Sequence, residues 1–203
     1  MRREQVIKMV IFLAIIGIVL FFGLDFYFNN YSVRDPAQIT VNMVGYKTSN
    51  VTINLPKVSG DEKIASIFEK ENSIWKQRAD ANEIKSLNIS TTYYDENYIS
   101  ILYNGIDSSG NKIISSKVID LVKKKEMGKG EIVDVALKSK FEAEGREDPK
   151  MRYPDNTFAQ FDYIYLEKGT DGTVNCVFCW KNKGSGKYNT SKMNGFEIIK
   201  SIV

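Results

Sequence analysis

The sequence predicts an α+β protein: a single N-terminal transmembrane helix, then an antiparallel sheet with two amphipathic helices on one face. Three observations carry this expectation. Met9 to Leu24 contains no charged residue and is rich in Ile, Val, Leu and Phe. Behind it, short β-branched and aromatic runs are separated by clusters of turn residues, the pattern of hairpin-linked strands. Two longer stretches repeat their apolar residues at helical spacing instead.

The apolar run, extended back across Lys8 to Val6, approaches the roughly 20 residues that a helix needs to cross a hydrocarbon core. Lys8 can reach the headgroups by its long stem. Phe26, Tyr27 and Phe28 follow, as an interfacial aromatic belt requires. Arg2, Arg3 and Lys8 flank the start and Asp25 the end, so the positive-inside rule puts the N-terminus in the cytoplasm. A cleaved signal peptide is the competing reading, but no small-x-small site follows the run. The expected organisation is therefore a cytoplasmic stub and anchor over residues 1–29, a linker over 30–37 and an extracytoplasmic α+β domain over 38–203.

Within that domain, Gln38 to Val44 and Val51 to Leu55 read as strands, the second closed by Pro56. Ser59 and Glu62 have capping-box spacing. Ile64, Ile67, Phe68, Ile74 and Trp75 then recur with helical period, predicting a helix over about 61–79. Leu87 to Tyr94 and Tyr98 to Tyr103 form a hairpin around Asp95-Glu96-Asn97, and a strand follows near Lys112 to Ile119. Leu121 to Met127 reads as a short helical turn. Glu131 to Glu144 reads as the second helix, stopped by Gly145. Thr157 to Lys168 and Thr173 to Lys181 pair across Gly169 to Gly172. Asn182 to Asn194 reads as a polar loop, and Phe196 to Val203 as a closing strand.

Composition narrows the function. The chain has 28 Lys+Arg against 25 Asp+Glu, a balance without the clustered positive charge of a nucleic-acid binder. It has no histidine, which removes the usual neutral-pH general base and the usual zinc ligand. No metal or cofactor site is expected. Cys176 and Cys179 form a C-x-x-C, but inside a strand pattern, where three residues span about 10 Å and the side chains point to opposite faces. They read as structural thiols rather than a disulfide, with a local bridge in an irregular turn and redox chemistry as alternatives. The remaining acids lie in turns or at a helix end, without a spacing that demands acid–base work. A carboxylate-based hydrolase is the low-ranking alternative to a protein that is not an enzyme. The candidate ligand-binding residues are Tyr93, Tyr94, Tyr98 and Tyr103, because tyrosine is favoured at recognition surfaces. Asp162 joins them as a carboxylate that either lines a pocket on the sheet or faces solvent.

The order of elements supplies a resemblance. Asn54-Leu55-Pro56-Lys57-Val58-Ser59-Gly60 ends a strand before an Asn-bearing helix. Tyr94-Asp95-Glu96-Asn97-Tyr98-Ile99-Ser100-Ile101 follows, then a strand leading to Asp120-Leu121. Over about residues 50 to 180 this resembles the extracytoplasmic domain shared by some Gram-positive peptidoglycan deacetylases and lysozyme-sensing anti-sigma factors. The family's glycine-rich stretch is replaced here by Asn104-Gly105-Ile106-Asp107. The resemblance implies an accessory or sensor module outside the membrane, with no catalytic or sigma-binding part attached. The expected function is a membrane-anchored, single-pass binding or sensing module. Its partners would be the lipid bilayer through residues 6–24 and a cell-wall glycan or envelope protein outside. The alternative is a bitopic structural component of a larger envelope assembly, such as a secretion, conjugation or sporulation complex.

Overall fold

The computed structural model describes residues 39–147, 157–195 and 197–198. The segment expected to span the membrane lies outside the described residues, as do the stub and the linker. Among the described residues no helix is long and apolar enough to cross a membrane.

The expected single sheet with both helices on one face is incorrect. The described residues are mostly antiparallel sheet, 45% strand, with two helices. The strands form three sheets: β1-β2, β3-β4-β5-β6 and β7-β8-β9. Here β1 is Thr40–Lys47, β2 Thr52–Ser59, β3 Ile84–Tyr94, β4 Tyr98–Asp107, β5 Lys112–Asp120 and β6 Lys125–Glu126. The third sheet comprises β7 Tyr163–Lys168, β8 Val174–Lys181 and β9 Tyr188–Met193. Helix α1 spans Glu62–Asp80 and helix α2 Lys129–Ala143.

The helices lie on opposite sides of the four-stranded sheet. Successive strand residues point to opposite faces, and the chain exploits this at Val118 and Ile119 of β5. Ile119 packs in one core with Ile99, Ile101 and Tyr103 of β4 and Ile64, Phe68 and Trp75 of α1. Val118 packs in a second core with Ile132, Val133 and Leu137 of α2 and Leu166, Cys176 and Phe178 of the third sheet. Each fully buried Ile, Leu or Phe in these cores contributes about 1.5–3 kcal/mol. Two serines of the central sheet hold the third sheet against it. The Ser116 hydroxyl donates to the Ile164 carbonyl at 3.2 Å, and Ser100 Oγ accepts the Leu166 N–H at 3.1 Å.

Local chemistry sets the ends of the helices. Asp61, not Ser59, caps α1: its Oδ1 accepts the N–H groups of Lys63 and Ile64 at 3.0 and 3.1 Å. Asn82 (φ 58°) takes the left-handed position after α1. The Glu83 N–H then reaches the Arg78 carbonyl at 2.9 Å and the Asn82 N–H the Ala79 carbonyl at 3.0 Å, a Schellman closure. Gly145 (φ 63°) does the same for α2, with the Arg146 N–H on the Phe141 carbonyl at 2.9 Å.

Other boundaries differ from the sequence reading. Residues 121–124 form a turn into β6 rather than a helical turn. β7 begins only at Tyr163, after a turn over 157–160. The polar stretch after Lys181 contains β9. Of the expected closing strand, Glu197 and Ile198 are helical, and the Ile198 N–H donates to the Asn194 carbonyl at 3.1 Å.

Candidate binding cleft

A charged residue interrupts the apolar stripe of α1. Ile64, Phe68, Glu71 and Trp75 follow one another at helical spacing, and all four are buried. A carboxylate there needs partners. The Trp75 indole N–H donates to Glu71 Oε1 at 2.9 Å, one turn along the helix. The other oxygen, Oε2, faces Lys117 Nζ at 3.5 Å. Lys117 occupies β5 opposite Ile101, so it shares the α1-facing side of the sheet. Its ammonium also donates to both oxygens of Glu126, on the edge strand β6, at 2.9 and 2.8 Å.

Burial alone would lower the Lys117 pKa. The hydrogen bonds that the ammonium donates to Glu126 and Glu71, and the negative charges of both, outweigh it, and the ammonium is held above its ordinary value. Lys117 is therefore held as a positive charge between two carboxylates.

This triad forms one wall of a cleft of about 320 Å³, the lower end of the range for small-molecule sites. The floor is the edge of β5 at Ser115 and Ser116. The start of α2 and the entry to β7 supply the opposite wall, including Lys129, Asp162 and Tyr163. Both charges on that wall are tethered. Lys129 Nζ donates to the Phe161 carbonyl at 2.5 Å. Asp162 Oδ2 accepts the Lys181 N–H at 2.7 Å. The α2 N-terminus is closed on one side only: Glu131 Oε2 accepts the Gly128 N–H at 3.0 Å, and Gly128 has no side chain to return a bond.

The four nominated tyrosines do not form one surface. Tyr103 is fully buried and stacks on Trp75 with ring centroids 5.3 Å apart. Its hydroxyl has no hydrogen-bond partner among the described residues, and burial, then the charges of Glu71 and Glu126, push its pKa up. Tyr93 and Tyr98 are half-buried against the second core. The Tyr93 hydroxyl donates to Asp95 Oδ2 at 2.7 Å. Burial, followed by the charges of Asp120 and Asp95, raises the Tyr98 pKa. Tyr94 is exposed and its hydroxyl is taken by the Ile39 carbonyl. Of the nominated residues, Asp162 is the one that lines the cleft.

Cys176 and Cys179 are free and buried. They lie on opposite faces of β8, Cys176 toward α2 and Cys179 toward Ile114 of the central sheet. Burial pushes both thiols up, Cys179 to about 11.

Sequence reasoning missed Glu71, Lys117, Glu126 and Lys129. The available signal was the acid at position 71 inside an otherwise apolar helical stripe. A second depression of about 390 Å³ lies between β2 and β3, lined by residues such as Thr52, Lys85, Ser86 and Asn104. It is larger but shallower, and it holds no buried charge.

No protein-family profile matches the chain, and no curated protein matches it. Among solved structures, a member of the DUF3298 family from Bacteroides fragilis is similar at a TM-score of 0.43 with 10% sequence identity. The alignment covers 82% of this chain and 94% of that one. A likeness at that level assigns this chain neither a fold family nor a function.

Proposed function

We propose that this chain is a membrane-anchored extracytoplasmic binding module whose cleft takes a polar ligand carrying charges of both signs. The peptide-bearing glycan of a cell wall offers such groups. The observation that supports this is Lys117 locked between Glu71 and Glu126. Charges of both signs are already in place, so a ligand does not have to order them. The same locking argues for binding over catalysis, because both carboxylates are already engaged by Lys117. Glu126 is half exposed, and a carboxylate presents about four acceptor directions, so it can still receive a ligand ammonium beside Lys117. Lys129 and the open side of the α2 N-terminus would face the ligand's carboxylate. The uncharged run at 9–24 with its basic flank supports anchoring, and the resemblance in element order to sensor modules supports an outward-facing role.

The test is calorimetric titration of the full chain in detergent micelles with solubilised wall glycan-peptide fragments. Wild type binds, and Glu126→Gln loses at least about tenfold in affinity. Its stability falls by about 1 kcal/mol at most, because Glu126 is itself half exposed and Lys117 keeps Glu71 as a partner. Absence of binding by wild type, or equal binding by the variant, contradicts the reading.

A further inference from the structure

We propose that β1 is a self-association edge: two copies of this chain pair their β1 strands antiparallel about Val44. Placing both copies on one membrane rests on the anchored reading above; the edge geometry does not.

The direction of the free edge follows from one residue. Met43 lies opposite Pro56 in the β1-β2 ladder. Proline has no N–H, so this pair is the kind without ladder bonds. Alternation then directs the N–H and C=O groups of Val41, Met43, Gly45 and Lys47 away from β2. The turn agrees: at position 48 the N–H points inward, to the Val51 carbonyl at 2.9 Å. Among the described residues, no strand lies on the outward side of β1. The Tyr94 hydroxyl takes the Ile39 carbonyl, so the open row starts at Val41.

Proteins ordinarily protect such a row with proline, inward charge or a covering element. β1 carries no proline, and its one charge is Lys47 at the end. Met43 and Val44 are 42% and 47% exposed. A two-fold axis through Val44 brings Val41 opposite Lys47 of the other copy and Met43 opposite Gly45. That register uses every outward group from 41 to 47. It opposes no like charges, and it sets the two exposed Val44 side chains against each other as a close pair. The contact is isologous and closes at two copies. Confinement to a membrane raises the effective concentration that so small an interface requires.

The experiment uses the full chain in membranes. Under mild oxidation Val44→Cys gives a disulfide-linked dimer, while Lys57→Cys on β2 gives none; Cys176 and Cys179 are buried and do not interfere. Differently tagged Val44→Lys and Val44→Glu chains co-purify when expressed together. Two Val44→Lys chains lose at least tenfold of the wild-type co-purification. Failure of Val44→Cys to cross-link overturns the pairing, as does undiminished co-purification of two Val44→Lys chains, which would place the contact elsewhere. Carbonate extraction of the same membranes reports the anchor separately, so loss of anchoring and loss of pairing are told apart.

Discussion

Lys117 decides the character of the cleft, and its energetics follow from where its neighbours sit. Side-chain exposure is 22% at Lys117 and 11% at Glu71, so neither charge is well solvated alone. Removing one partner strands the other. Lys117→Met keeps the apolar stem and deletes the charge; it is expected to cost about 2–3 kcal/mol in urea unfolding, less than a fully buried pair because Nζ reaches the cleft. Adding Glu71→Gln should recover most of the loss. A single-variant cost below about 0.5 kcal/mol would show the triad to be incidental. The pH dependence has a defined sign. With its folded pKa raised, Lys117 contributes its full stabilisation below its ordinary value of 10.5, and the contribution fades as pH climbs through the raised value.

At the scale of elements, the cap of α1 links helix formation to the β5-β6 connection. Asp61 receives two backbone N–H groups and pairs with Lys124 Nζ at 2.7 Å. Lys124 itself sits at φ 53°, a left-handed position unusual for a residue with a side chain. Burial alone would raise the Asp61 pKa; the Lys124 hydrogen bond and charge and the two N–H donors outweigh it, leaving it below 3.8. Asp61 therefore stabilises the fold above pH 3.8 and stops doing so as pH falls through the lowered value. Asp61→Ala should cost about 1 kcal/mol at neutral pH through loss of the cap. Asp61→Asn keeps a cap acceptor, so it should cost less at pH 7 and show a shallower stability loss between pH 4 and pH 2. Urea melts across that range check both; an unchanged acid limb in Asp61→Asn would mean the carboxylate is not coupled to folding.

Across the whole molecule, what the sequence shows and what it hides divide along physical lines. Helix α1 is legible because its apolar residues repeat over nineteen positions and a cap precedes them. The β3-β4 turn is legible because Asp95 Oδ1 accepts the N–H groups of Asn97 and Tyr98, a bond local in sequence. Sheet partnership is not local. Alternation says which residues share a face, not which strands exchange hydrogen bonds, so three sheets read as one. The central sheet is covered on both faces, and Val118 and Ile119 are both apolar for different cores, which blurs the period. β9 (Tyr188–Met193) carries too little apolar character to show any period. Of the residues that line the cleft, the sequence singles out only Asp162, and leaves open whether it lines a pocket or faces solvent; the other groups come from α1, β5, β6 and α2, which are distant in sequence. The tyrosines looked like a surface because composition cannot separate Tyr103, stacked on Trp75 inside the core, from Tyr94 outside it.

Hydrogen–deuterium exchange of the full chain, with and without wall glycan-peptide fragments, tests the central claim most directly. The account predicts ligand-dependent protection at Ser115–Val118, at the first turn of α2 and at Asp162–Ile164. Protection confined to the depression between β2 and β3, or to the face bearing Tyr94, would contradict it.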